Sequence, residues 1–142
     1  MNPIPERIRD FISENNVLTI APILQNIPYC ATVFYAYIPE KNLLVFMSDV
    51  NTKHIQDTIL NNKIAGTIIT KNVSISNVRG IQFTGTIYEL KEGLLSECKF
   101  QYLEHFPLAA LHNSILWGID ISFLKLTDNR LGFGKKIIWN KS

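Results

Sequence analysis

Apolar residues at Ile4, Ile8, Phe11 and Ile12 recur at helical spacing, and Pro3 and Pro5 fall where a first turn has unpaired N–H groups anyway. The pattern predicts a short amphipathic helix at the start of the chain. The stretches 17–24, 29–38 and 43–48 are rich in β-branched and aromatic residues and predict three strands of a meander. Gln25-Asn26-Ile27-Pro28 reads as the first connection and Pro39-Glu40-Lys41-Asn42 as the second. In the middle strand Val33, Tyr35 and Tyr37 alternate with Cys30, Phe34 and Ala36, so both faces are apolar and need cover from a helix or a second subunit.

Residues 49–62 predict a loop and then a helix with Ile55, Ile59 and Leu60 on one face and Asn61-Asn62 at its end. A strand is expected at 64–70, a polar loop at 72–77, and a half-buried strand at 79–88 with Ile81, Phe83 and Ile87 inward and Gln82, Thr84 and Thr86 outward. Residues 93–106 read as a helix ended by Pro107. Strict alternation at Ile115, Trp117, Ile119, Ile121 and Phe123 marks a long strand, and a glycine-rich turn, Gly132-Phe133-Gly134-Lys135-Lys136, precedes a short tail strand at 137–139. Five or six strands joined as meanders rather than by regular crossovers predict a closed or partly closed antiparallel barrel with helices outside it.

Composition narrows the function classes. The chain has 142 residues, 46% of them hydrophobic, enough for one well-filled core and too few for two ordinary domains. Fourteen basic and twelve acidic side chains leave a formal charge of +2, a weak field for nucleic acid, and the basic–aromatic clusters of a single-strand binder are lacking. The opening residues lack the basic-then-apolar order of a leader, and no run approaches the roughly 20 apolar residues of a membrane span. A cytoplasmic protein with no membrane or nucleic-acid partner is expected. Cys30 and Cys98 have no CxxC spacing and are expected as free thiols.

The strongest candidate for chemistry is the junction at Asn51-Thr52-Lys53-His54. A strand end there feeds a helix start, gathering free N–H groups, a hydroxyl, an ammonium and an imidazole within one turn, a set that suits a phosphate. A plain helix cap with solvated Lys53 and His54 uses the same residues, although a cation in a first turn opposes the helix dipole. Gly132 to Lys136 lets backbone approach a ligand beside two lysines but lacks P-loop spacing. Arg79 suits an anion or a surface carboxylate. His105 and His112 have no partner at metal-ligand spacing, so no metal is expected.

The run Phe46-Met47-Ser48, then Thr52-Lys53-His54 and a helix, then Arg79-Gly80-Ile81-Gln82-Phe83-Thr84-Gly85, resembles the pyridoxamine 5'-phosphate oxidase-like FMN-binding split barrels. Closer similarity is to the YhbP-like group within them, through Cys30-Ala31-Thr32-Val33-Phe34-Tyr35, the Arg79 stretch, and 123–139 with Thr127-Asp128-Asn129 and Gly132-Phe133-Gly134-Lys135-Lys136. The resemblance implies a mainly β chain with peripheral helices, a six-stranded antiparallel split β-barrel forming a single domain over 1–142. It also implies FMN at the interface of a homodimer and an oxidoreductase acting on an unidentified small molecule. Thr32, Val33 and Phe34 would line the flavin edge, Phe46, Met47 and Ser48 would continue that wall, and Thr52, Lys53 and His54 would hold the phosphate. Arg79, Gln82 and Lys135 would approach from farther along the chain. The family's arginine and lysine on the second strand are Ala31 and Ala36 here, and the arginine before its phosphate lysine is Thr52. These departures lighten the phosphate grip and argue against pyridoxamine phosphate as substrate. The rival function is a flavin- or haem-binding protein that stores or senses without turnover.

Overall fold

The computed structural model describes residues 2–71 and 74–142. Its elements are α1 (Glu6–Glu14), β1 (Val17–Leu24), β2 (Ile27–Pro28), β3 (Ala31–Ile38), β4 (Leu43–Ser48), α2 (Lys53–Leu60), β5 (Lys63–Ile69), β6 (Arg79–Glu89), α3 (Glu92–His105), β7 (Ile115–Asp128) and β8 (Lys136–Asn140). Asn72 and Val73 of the polar loop expected at 72–77 lie outside the described residues. No described helix is long and apolar enough to cross a membrane.

Strands β1, β3, β4, β7, β6 and β5 pair in that order, every pair antiparallel. Strand β5 returns to β1, with Ile20 opposite Gly66 and Ala21 opposite Ala65, and closes a six-stranded barrel. The chain is thus the mainly β split barrel that the strand pattern and the resemblance foretell. Two further strands extend it: β2 folds back antiparallel on the end of β1, and β8 runs beside the far half of β7. Inward residues of every barrel strand, among them Leu18, Tyr35, Phe46, Ile68, Phe83 and Ile119, fill the interior. Helix α1 adds Ile8, Phe11 and Ile12 to the same core, and the buried Tyr35 hydroxyl donates to the Ile12 carbonyl at 2.7 Å. The Trp139 indole N–H likewise donates to the Asn2 carbonyl at 2.9 Å, tying the last strand to the start of the chain.

Helix α3 lies outside the barrel and gives the outer face of β3 and β4 its cover. Cys98 and Tyr102 pack with Leu90 on Ala36, Ile38, Leu43, Val45 and Leu116 in a second core. A packed helix therefore supplies the cover that a doubly apolar β3 requires. That cover stops short of Phe34, which stays 60% exposed.

Three expectations are corrected. The expected strand 29–38 begins only at Ala31, because Gln25 and Asn26, with φ of 52° and 63°, form a tight turn that pairs Leu24 with Ile27 and leaves Tyr29 and Cys30 between strands. In α2 the buried residues are Ile55, Asp57 and Thr58, while Ile59 and Leu60 are 54% and 73% exposed. The polar side chains are tolerated inside because each has a partner: the Thr58 hydroxyl donates to the Ile55 carbonyl and the Asp57 carboxylate accepts from Lys53. Finally, alternation along β7 breaks at Ser122, which has no opposite residue on β6 because Ile121 pairs with Gly85 and Phe123 with Thr84. This bulge turns Phe123 outward and sends Leu124 and Leu126 inward.

Closure leaves no room at Gly66, where a Cβ would stand 2.2 Å from the Phe83 ring and 2.7 Å from the Thr19 carbonyl oxygen. Gly66→Ala is expected to cost about 1–3 kcal/mol of folding stability through overpacking. Chemical denaturation measures this, and an unchanged midpoint would contradict so close an approach of β1 and β5.

Candidate functional site

Strand β4 ends at Ser48, and the chain turns through Asp49 to Asn51 into α2. Thr52 stands at the N-cap position with extended backbone (φ −71°, ψ 148°), yet its side chain does not cap the helix. The Thr52 hydroxyl instead donates to the Asp49 carbonyl at 2.8 Å, leaving the first N–H groups of α2 without a side-chain acceptor. A 2.8 Å hydrogen bond joins Ser48 Oγ to His54 Nε2, and Thr52 Oγ1 lies 3.3 Å from the same nitrogen. The Trp117 indole N–H donates to the Ser48 carbonyl at 2.9 Å, and Ser114 Oγ donates to Asp49 Oδ1 at 3.3 Å, so β7 and the segment before it brace the turn. Burial holds the His54 imidazole below the usual histidine range, which keeps it neutral at pH 7.

Lys53 is less free than its place in the sequence implies. Its ammonium lies 3.1 and 3.3 Å from the two carboxylate oxygens of Asp57 and 5.1 Å from the centre of the Tyr29 ring. The Asp57 side chain is only 5% exposed and that of Lys53 54%. A buried carboxylate needs this cation, and the ammonium still faces solvent on its other side. The residue missed by sequence reasoning here is Asp57. The i,i+4 spacing of Lys53 and Asp57 was a usable signal, whereas the burial of Asp57 had none.

The expected flavin wall divides by side of the sheet. Val33 and Phe46 point into the barrel core, so only their main chain is available to a ligand. Thr32 and Phe34 are exposed on the outer face, and Met47 is half-buried there. Phe34 and Met47 line a cavity of about 280 Å³ with Tyr102, Phe106, Leu108 and Ala109, to which His112 and Ser114 add polar groups. The rings of Tyr102, in α3, and Phe106, at its C-cap, had no signature beyond ordinary helix and loop composition.

Arg79, Gln82 and Lys135 do not join this group within one chain. Ser48 pairs with Ile115, whereas Arg79 pairs with Asp128, and these two residues are the opposite ends of β7. At about 3.3 Å per residue the 14-residue strand spans roughly 40 Å. Arg79 bonds Glu14 at 3.2 Å, with its guanidinium 5.3 Å from the centre of the Phe11 ring, and so fastens α1 to the barrel. Gln82 is exposed and lines an outer cavity of about 500 Å³ with Thr19, Ala21, Cys30, Thr67 and Phe123. Lys135 is exposed in the turn before β8, its N–H donating to the Gly132 carbonyl at 3.0 Å. Cys30 and Cys98 are both free. Among the described residues, no group of three or more His, Cys, Asp or Glu side chains is placed to hold a metal ion.

Two outcomes follow. Lys53→Ala is expected to cost about 1–3 kcal/mol, since it strands the Asp57 carboxylate, and the Lys53→Ala/Asp57→Asn double variant to recover much of the loss; denaturation midpoints of the two decide it. Because the folded pKa of His54 is depressed, the unfolded chain takes up that proton first as pH falls through the ordinary value of 6.5. Stability is therefore lost on acidification from pH 7 toward 5, and less steeply in His54→Gln; parallel pH profiles for the two proteins would refute this.

No family model matches the sequence. A UPF0306 protein of Yersinia pseudotuberculosis serotype O:3 (strain YPIII) is 31% identical over 134 residues, covering 94% of this chain and 91% of that protein. A haem-binding protein from Mycobacterium smegmatis superposes with a TM-score of 0.80 at 12% identity; the match covers 96% of this chain and 59% of the larger protein. A FAD-binding protein from Mesorhizobium loti gives 0.72 at 14% identity, over 87% of this chain and 94% of that one. At these identities the solved structures share the fold, and the UPF0306 relative matches nearly end to end. The chain belongs to the UPF0306 family, and its scaffold is the split β-barrel.

Proposed function

We propose that this chain is a cytoplasmic FMN-binding protein of the YhbP-like type. In this reading two copies form a homodimer with flavin in the groove between them, and electrons pass between the flavin and an unidentified small molecule. The observation that carries the reading is the uncapped start of α2. Its first N–H groups have no side-chain acceptor, the Thr52 hydroxyl is turned to Asp49, and Lys53 keeps a solvent-facing side. That set suits a phosphate, through backbone N–H groups and one cation. Fold likeness to a FAD-binding protein supports a flavin as the carrier of that phosphate.

Thr52, Lys53 and the N–H groups of α2 would hold the phosphate, with His54 and Ser48 bracing Thr52 from behind. Thr32, Phe34 and Met47 would present side chains to the flavin, and Val33 and Phe46 main chain alone. Since Lys135 and Gln82 are remote from α2 in one chain, their contacts would come from the second copy. The outer face of β1, β5 and β6, where Thr19, Ala21, Ala65 and Thr84 line cavities to which no described helix contributes a residue, is the surface offered to that copy. When bound, the flavin supplies the redox chemistry, and the residues of this chain hold, orient and shield it. A second reading, flavin or haem held without turnover, draws on the fold likeness to a haem-binding protein.

The purified protein is expected to take up FMN at micromolar concentration with quenched flavin fluorescence, and Thr52→Glu to abolish uptake by placing a carboxylate against the phosphate. Absence of any FMN uptake would sink the proposal, and a haem spectrum would favour the second reading. Mixed dimers test the two-chain site. Thr52→Glu and Lys135→Glu proteins, each impaired alone, should recover one working site per heterodimer, because both changes then fall in the other site.

A further inference from the structure

We infer that the cavity between the outer face of β3–β4 and the α3 end binds a second small molecule, a neutral planar aromatic of about two fused rings with one hydroxyl or carbonyl that His112 contacts. The lining contains no aspartate, glutamate, lysine or arginine, so a charged ligand would lose its hydration there without an ion partner. Three aromatic rings shape it. Phe34 and Phe106 are tilted at 57° with centroids 5.7 Å apart, and Tyr102 and Phe106 at 45° and 5.0 Å, an arrangement that offers both faces and edges to a flat guest.

Size sets the class. An apolar cavity of about 150 Å³ accommodates one benzene, and this one, at about 280 Å³, has room for two fused rings. Phe34 and Leu108 are 60% and 77% exposed, so a guest would remove apolar surface from water that the fold itself leaves open. The polar end follows from which groups are already engaged. The Tyr102 hydroxyl donates to the Phe34 carbonyl at 3.2 Å and Ser114 Oγ to Asp49. Among the described residues the His112 ring has no hydrogen-bond partner, and it is the lining side chain with an uncommitted N–H to donate to a ligand oxygen. Phe34 and Met47 also belong to the proposed flavin wall, so the guest's place beside a flavin rests on the FMN proposal; the cavity itself does not.

The test uses the flavin-free full-length chain and 1-naphthol, whose own fluorescence reports binding. Saturable binding of one naphthol per chain is expected. Ala109→Trp, which fills the cavity, should weaken it at least tenfold, and Phe34→Ala, a change at an exposed position that leaves the fold intact, several-fold. His112→Ala should lose about 2- to 10-fold for naphthol, the range of one hydrogen bond, and nothing for naphthalene. No saturable binding, or equal binding by wild type and both cavity variants, overturns the inference. FMN titration of the same proteins keeps the two proposals apart: naphthol binding lost in Ala109→Trp without FMN uptake by any variant would refute the flavin reading and leave this one standing.

Discussion

Closing a sheet of only six strands is the constraint from which the remaining architecture follows. A barrel this narrow is filled by its own side chains, so every strand must send large apolar residues inward, and β1 and β5 must meet closely enough that Gly66 has no space for a side chain. The interior is spent on packing. Exposed groups gather instead at the strand ends and the outer faces, where β4 hands the chain to α2 and where α3 stops short of Phe34.

The two faces of β4 then do different jobs. Phe46 and its inward neighbours belong to the barrel core, while Val45 lies under α3, so the strand is clamped from both sides until its last two residues. Met47 and Ser48 emerge half-buried at that end, one toward the outer cavity and the other toward His54. Rigidity behind and exposure ahead suit the part that the proposed flavin reading gives these residues, holding a ligand without moving. The Lys53–Asp57 pair belongs to this arrangement, because a buried carboxylate fixes where the only cation of the first turn of α2 can stand.

Much of this was legible in the residues. Runs of β-branched and aromatic residues located β1 and β4, alternation located β6 and the start of β7, which continues five residues past Phe123, and the doubly apolar β3 called for cover from a helix or a second subunit. The α2 junction stood out because a hydroxyl, a cation and an imidazole follow one another at a helix start, with three residues between them and a strand end. What stayed hidden depends on pairing. One extra residue at Ser122 changes which side of β7 faces the core, and no composition signal marks it. Ile59 and Leu60 looked like an inner face because apolar residues usually are, but a satisfied Asp57 and Thr58 took that place. The separation of Lys135 from Lys53 becomes visible only once register puts Ser48 and Arg79 at opposite ends of one strand.

The two tryptophans carry a consequence of their own. Each indole N–H is fixed by one backbone carbonyl, Trp117 to the strand end at Ser48 and Trp139 to Asn2, and both rings are buried. The molecule thus has two intrinsic optical labels: one emits from beneath the α2 junction, the other from the clasp between the first and last segments of the chain. Light emitted by Trp117 reports events at the junction, and Trp139 supplies a reference in the same molecule.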